Sequence, residues 1–421
     1  MCVLLVLQAV VSFRSAPRIL ETINAVRGPL YQWVPHFTSV INWTLRIGLG
    51  LLNAVGPIAD SWIAMMDATI NVGTKKALVV LRVRLDVLAL KGSAIQLADC
   101  ECIGLRVLEQ TNGETIADSL ARIFEQAGNP VAVLKDQGAD LSRGVTLWKE
   151  TQRKEESAAI EIIDDIGHAL ANGLKAQYEK TKGFTDFLKA VSKSAARLRQ
   201  TSWAFLTPPK IRTKGRFQSI GKLAEWGKNI LLVFNQPGRA KKDSALAVVR
   251  KALPGFSQRH AVFIHEFAET TQIAHSILKQ LKQQGLNQPT YENCKGQADA
   301  LPEQSAFKKR LLDWLERHRR VQAKLTGQHS LLVSTDILES LFGKFKRIIE
   351  RSPTADINRM ALVIPALCGN KINEQTIGEL FSTTCCQDIA DWETNNIAYT
   401  LRKKRQAFFH KIKKDRVPET G

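Results

Sequence analysis

Residues 131–138 read Val131-Ala132-Val133-Leu134-Lys135-Asp136-Gln137-Gly138, with Gly128 and Pro130 just upstream. A short unbroken apolar run between turn residues predicts a strand buried on both faces. The run ends in an acid, Asp136, where strand gives way to a loop through Gly138. A second run of the same kind, Ile63-Ala64-Met65-Met66-Asp67, also ends in an acid.

Between the two acids the pattern predicts a meander. Asn71-Val72-Gly73-Thr74 is turn chemistry. Residues 76–88 are β-branched and partly alternating, and 95–108 hold a third strand. A helix over 113–126 follows, opened by a Thr111/Glu114 capping box and stopped by Gly128. Beyond Asp136 come a helix over 143–151, a strand over 158–163 and a helix over 167–178. Hairpin-connected strands followed by alternating helices and strands imply an α/β fold, a mixed five-stranded sheet with flanking helices.

The rest of the chain reads as helical. Residues 1–56 hold two helices joined by a turn at Gly28-Pro29, the second opened by Thr38 and Ser39. That is a helix-turn-helix-like pattern, with Arg46 as its candidate DNA contact; an ordinary helical hairpin fits the same residues. Residues 57–181 form the first part of the core. A polar helical insertion spans 182–329, a helix carrying Glu339 spans 330–356, and a basic helical tail spans 357–421. Basic clusters recur at Lys210, Arg212, Lys214 and Arg216, at Arg239, Lys241 and Lys242, and at Lys308, Lys309 and Arg310. The stretch from Trp203 to Trp226 interleaves aromatics with the first cluster, which suits phosphate contact and base stacking or, equally, a solvated basic loop.

The 421 residues carry 59 Lys and Arg against 40 Asp and Glu, a formal net charge of +19. A polyanion is the simplest partner for that balance. An anionic membrane surface competes, but the cations are not gathered on one amphipathic helix. Seven cysteines without zinc-ligand spacing read as reduced thiols, which points to the cytosol. The run MCVLLVLQAVVSF is too short to span a bilayer and has no basic residue ahead of it. It reads as a buried helix that has lost an upstream packing partner.

In a sheet where strands one and four are neighbours, Asp67 and Asp136 emerge side by side at one end. Paired carboxylates there are costly without a cation, and Mg²⁺ prefers hard oxygen ligands. Glu339 is the candidate third acid, set among Leu332, Val333, Ile337, Leu338, Leu341 and Phe342 and read as lying within an apolar stretch. Asp336 and Asp140 are alternative ligands. A lone strand-end Asp is ordinarily a turn or cap residue, and a helical Glu ordinarily faces solvent. His265-Glu266-Phe267-Ala268-Glu269 starts like a zincin but carries Glu at the second His position, which excludes that site.

The order of elements resembles the RNase H-like core of the DDE transposases and retroviral integrases. Met65-Met66-Asp67-Ala68-Thr69 looks like the first-acid hairpin. Val133 to Asp140 looks like the second-acid motif, and Asp336 to Lys346 like the helix of the final Glu. Asp165-Ile166-Gly167-His168 resembles the Asp-x-x-His motif of bacterial insertion-sequence, hAT and Mutator-like transposases, which also carry a helical insertion before the final Glu. The resemblance implies that Asp67, Asp136 and Glu339 hold two Mg²⁺ or Mn²⁺ ions, with His168 and Asp165 supporting. It implies DNA transposition: hydrolysis at transposon ends, then attack of the freed 3′-hydroxyl on target DNA. The DNA contacts would be Arg46, Lys210, Arg212, Lys214, Arg216, Lys344 and Lys346. Partners would be double-stranded DNA and further copies of the chain, with no membrane, in the cytoplasm at the bacterial nucleoid. The alternatives are a decayed or domesticated DNA-binding relic and an RNase H-like nuclease without strand transfer.

Overall fold

The computed structural model describes every residue except 73–74, 154–158, 212–214, 235–243, 253–257, 351–356, 370–371, 398–404, 407, 411 and 413–421. In chain order the helices and strands are α1 (Cys2–Leu7), α2 (Ser15–Arg27), α3 (Phe37–Asn53), β1 (Trp62–Val72), β2 (Lys75–Arg84), α4 (Leu85–Lys91), β3 (Glu101–Leu108), α5 (Gly113–Ala127), β4 (Ala132–Lys135), α6 (Ala139–Thr151) and β5 (Glu161–Asp164). They continue as α7 (Ile166–Tyr178), α8 (Lys182–Leu198), α9 (Gly221–Phe234), α10 (Ala245–Ala252), α11 (Gln258–Gln284), α12 (Gln288–Asp299) and α13 (Ala306–Leu325). The last are α14 (Asp336–Glu350), α15 (Ile357–Met360), α16 (Val363–Ala366), α17 (Glu374–Thr383) and α18 (Cys386–Ile397). Two compact units result, one of Met1–Ile163 with Thr335–Gly421, the other of Asp164–Ser334.

The first unit holds a five-stranded sheet in the order β3-β2-β1-β4-β5. The β1–β2 and β2–β3 pairs are antiparallel, and β1 pairs in parallel with β4. This is the mixed five-stranded sheet that the sequence predicts. Residues alternate between faces along a strand. Trp62, Ala64 and Met66 of β1 and Val133 of β4 pack with Leu120, Ile123 and Phe124 of α5 and Leu141, Val145 and Trp148 of α6. Phe124 joins the rings of this core, 4.5 Å from Trp148 and 6.1 Å from Trp62.

Several local expectations are corrected. β1 does not stop at Asp67 but runs to Val72, with an irregularity between Asp67 and Ile70, so Asn71 and Val72 are strand rather than turn. The antiparallel partner β2 keeps offering backbone groups beyond the acid, and the longer ladder satisfies them. Gly73 and Thr74 lie outside the described residues. The second strand ends at Arg84, and Leu85–Lys91 coils into α4, with Asp86 in its first turn and Gly92 after its end. α5 is capped by Asn112, whose side chain accepts from the Thr115 N–H, rather than by Thr111 with Glu114. The helix of Glu339 starts at Asp336, not at 330; Leu331 instead bridges to Leu286 in the second unit.

Against α3 packs the segment from α16 to α18. Gly48 meets the Leu362 carbonyl so closely that an added Cβ would sit 1.7 Å from its oxygen. Arg46 places its guanidinium 4.4 Å over the Phe381 ring and donates to the carbonyls of Phe381 and Thr384 at the end of α17. A cation there complements the helix C-terminus.

Among its described residues the second unit is helical, with short 3-10 turns at Ala204–Leu206 and Arg216–Gln218, apart from the Leu286–Leu331 bridge and the Asp164 end of β5. Its core includes Tyr178, Phe184, Phe187, Phe263 and Phe267, with Phe263 and Phe267 stacked at 5.5 Å. No helix among the described residues is long and apolar enough to cross a membrane.

Gly48→Ala should destabilise the chain by about 3 kcal/mol or more, because the Leu362 backbone cannot retreat as a side chain could. Gly343→Ala, in α14 with nothing within 4 Å of the added Cβ, should stabilise by about 0.5–1 kcal/mol through helix propensity. Urea midpoints of the two variants check both signs.

Candidate active site

The parallel ladder of β1 and β4 pairs Ile63 with Ala132, Ala64 with Val133, Met65 with Leu134 and Met66 with Lys135. One step further lie Asp67 and Asp136. Paired residues of neighbouring strands share a face, and that face alternates. Met66 and Val133 face α5 and α6, and so does Lys135, whose Nζ donates to Ser142 Oγ on α6 at 2.9 Å. Asp67 and Asp136 therefore fall on the opposite face, together with Met65 and Leu134. α14, the helix of Glu339, packs against β1.

Both carboxylates are half-buried. Asp67 Oδ1 accepts the Ala68 N–H at 2.6 Å, and Asp136 Oδ1 accepts the Gly138 N–H at 2.9 Å. The second bond is an Asx turn that fixes the carboxylate as the chain leaves the strand. A Cβ on Gly138 would lie 3.0 Å from Asp136 Oδ1, so glycine keeps this turn open. Lys135 is 5% exposed and also donates to the Asp136 carbonyl at 3.3 Å. Its cation sits behind the acids on the other side of the sheet.

Glu339 lies in the first turn of α14 and is exposed, not embedded among the apolar residues near it in sequence. Leu338, Leu341, Phe342 and Phe345 are buried, and helical rotation turns Glu339 and Ser340 outward. Asp336 and Glu339 both suit the positive end of that helix. Among the described residues, no group of three or more His, Cys, Asp or Glu side chains is arranged to hold a metal ion. The sheet thus aligns two acids and does not gather Glu339 with them into a three-ligand cluster. The two-acid register still fits a hard divalent cation, which takes one or two carboxylates and keeps several waters.

In the helical unit, Asp165 caps α7 by accepting the His168 N–H at 2.8 Å. His168 Nε2 lies 3.1 Å from Gln218 Nε2, so the ring nitrogen serves as the acceptor. The preceding Asp164 is held by Arg317 at 2.6 Å, its N–H donates to His318 Nε2, and its carbonyl accepts from Trp314 Nε1. Sequence reasoning missed this brace from α13. Its residues are scattered over 150 positions, so no local pattern reveals it.

Of the basic candidates, Lys210 and Lys346 are exposed, Arg216 and Lys344 half-buried, and Arg46 is engaged with the end of α17. Arg212 and Lys214 lie outside the described residues, as do Arg239, Lys241 and Lys242. All seven cysteines are free. Burial pushes the Cys100, Cys102 and Cys294 thiols up to about 12, which keeps them protonated and unsuited to nucleophilic chemistry.

No protein-family model matches the chain, and no curated protein matches it in sequence. Among solved structures it is similar to the Drosophila P element transposase strand transfer complex. That match covers 86% of this chain and 90% of the other, with 12% identity and a TM-score of 0.44.

Two neighbouring carboxylates repel when no cation lies between them. Asp136→Asn keeps the Gly138 hydrogen bond while removing one charge. In chelator it should raise the thermal midpoint by roughly 2–4 °C, the equivalent of about 1 kcal/mol. With Mn²⁺ added, the wild-type midpoint should rise and that of the variant should not. A lower midpoint in chelator would mean that the acids are structural and do not oppose one another.

Proposed function

We propose that the chain is a metal-dependent DNA-cutting enzyme of the transposase type, with Asp67 and Asp136 as its central acids. The observation that supports this reading is the β1–β4 register, which ends at Met66 and Lys135, one residue before the half-buried Asp67 and Asp136. Two divalent cations, Mg²⁺ or Mn²⁺, would supply activation of the attacking oxygen and stabilisation of the leaving one. Asp67 and Asp136 would hold them, with Glu339 approaching from α14 as the third ligand. Asp165 and His168 are assigned the supporting role of the Asp-x-x-His pattern. The substrate is a DNA duplex carrying the ends of a mobile element. Hydrolysis frees a 3′-hydroxyl, and that hydroxyl attacks a phosphodiester of a second duplex in line. Lys210, Arg212, Lys214, Arg216, Lys344 and Lys346 are assigned to phosphates, since cations position a duplex without reading its sequence. A homo-oligomer on paired ends belongs to the same reading.

A second reading has one observation in its favour. Glu339 is exposed and no three-ligand group forms among the described residues, as in a chain that binds DNA without cutting it.

Cleavage of a labelled duplex with Mn²⁺ separates the two. Asp67→Asn and Asp136→Asn should each lower the rate by more than the roughly 10–100-fold typical of a residue beyond the metal's own ligands. Glu339→Gln should do the same if Glu339 joins the site. Binding without cleavage by the wild type would establish the second reading, and joining of 3′ ends would set a transposase apart from a simple nuclease.

A further inference from the structure

The net charge is divided unevenly. The helical unit, 164–334, has 29 Lys and Arg against 13 Asp and Glu, a net +16, whereas the rest of the chain has 30 against 27, a net +3. Within that unit the cations differ in what surrounds them. On α13, Arg317 is paired with Asp164, and Arg319 and Arg320 share Glu316. Glu316 is held down to about 2, mainly by its bonds with Arg319 and Tyr291. Each of those guanidiniums has a carboxylate partner, Arg319 and Arg320 sharing one.

α8 is different. Thr181 caps it, and Phe184, Phe187, Val191 and Leu198 are buried along one side. The opposite side exposes Lys182, Lys189, Lys193 and Arg197, with Arg199 just past the end. Among the described residues no carboxylate lies within 4.0 Å of any of these five, and the acid nearest in sequence on the helix, Asp186, forms no ion pair with them. Lys189, Lys193 and Arg197 follow at four-residue intervals, so they line up on one face about 6 Å apart along the axis. The side chains between them on that face, Ser192 and Ala196, are small and exposed.

We propose that this face of α8 is a docking surface for the sugar-phosphate backbone of double-stranded DNA, with Lys189, Lys193 and Arg197 as its central contacts. The inference rests on the DNA reading above and names a surface for it. Charge complementarity identifies the occupant, because unpaired cations in a row gain most from a regular polyanion, whose counterions they release. The three central cations span about 12 Å, an axial length over which each strand of a duplex carries three to four phosphates at roughly 3.4 Å of rise each. The small residues between them let a backbone approach the helix closely. A membrane surface fits less well. The apolar side of α8 is used up in the unit's own core, so no hydrophobic face remains to enter a lipid interface.

The test is duplex binding by the full chain, measured by fluorescence anisotropy over a range of salt concentrations. The triple variant Lys189→Gln, Lys193→Gln, Arg197→Gln should flatten the slope of log affinity against log salt by about 2–3, near 0.9 per lost phosphate contact. Arg319→Gln with Arg320→Gln should leave it unchanged. If the triple variant loses its fold by circular dichroism, Lys193→Gln alone should flatten the slope by about 1. A folded variant with the wild-type slope overturns the docking surface and leaves the DNA reading standing. No salt-sensitive duplex binding by the wild type defeats the DNA reading itself. Loss of binding to anionic phospholipid vesicles with duplex binding retained overturns the surface in favour of a membrane.

Discussion

The parallel pairing of Met66 with Lys135 is the constraint from which the rest follows. It exists because two short apolar runs, Ile63 to Met66 and Ala132 to Leu134, are each too hydrophobic to lie at an edge. Both are covered on one side by α5 and α6 around Trp148, which is fully buried. Once the ladder is set, the residue after each pair has no freedom of side. A shift of one residue would carry Met66 out of the core and turn Asp67 into it, so burial of the neighbours protects the placement of the acids. Apolar packing therefore sets the two acids at the next step of neighbouring strands.

The backbone around each acid adds to this. Asp136 leaves the strand in an Asx turn closed by Gly138, and Asp67 bonds to the next peptide N–H. Both bonds restrict rotation of the carboxylates. Lys135, buried and tied to Ser142, places a positive charge near the strand end.

The sheet was legible in the sequence because its central strands are buried on both sides and read as continuous apolar runs. Asp67 and Asp136 could be read for the same reason, since an acid ending such a run is conspicuous. Residues 85–91 were not legible, because Val87, Leu88 and Leu90 continue an apolar strand pattern while α4 forms after Arg84. The length of β1 was hidden because it depends on β2, not on residues 68–72 themselves. For Glu339 the sequence neighbourhood was misleading. Helical rotation buries Leu338 and Leu341 while turning their neighbour outward. Arg46 had the residue type of a DNA contact, but its partner, the end of α17, lies more than 330 positions away and could not be read locally. The unpaired face of α8 became visible only when ion pairs could be assigned cation by cation.

Iron-directed cleavage of the protein's own backbone tests the central claim most directly. Fe²⁺ substituted for Mg²⁺, with ascorbate and peroxide, cuts the chain next to wherever the ion is held. The account predicts fragments ending near residues 67 and 136, lost together in either Asp→Asn variant, with a further cut near 339 if α14 completes the site. Cuts elsewhere, or cuts near 67 and 136 that persist in both variants, would contradict a metal held by this pair.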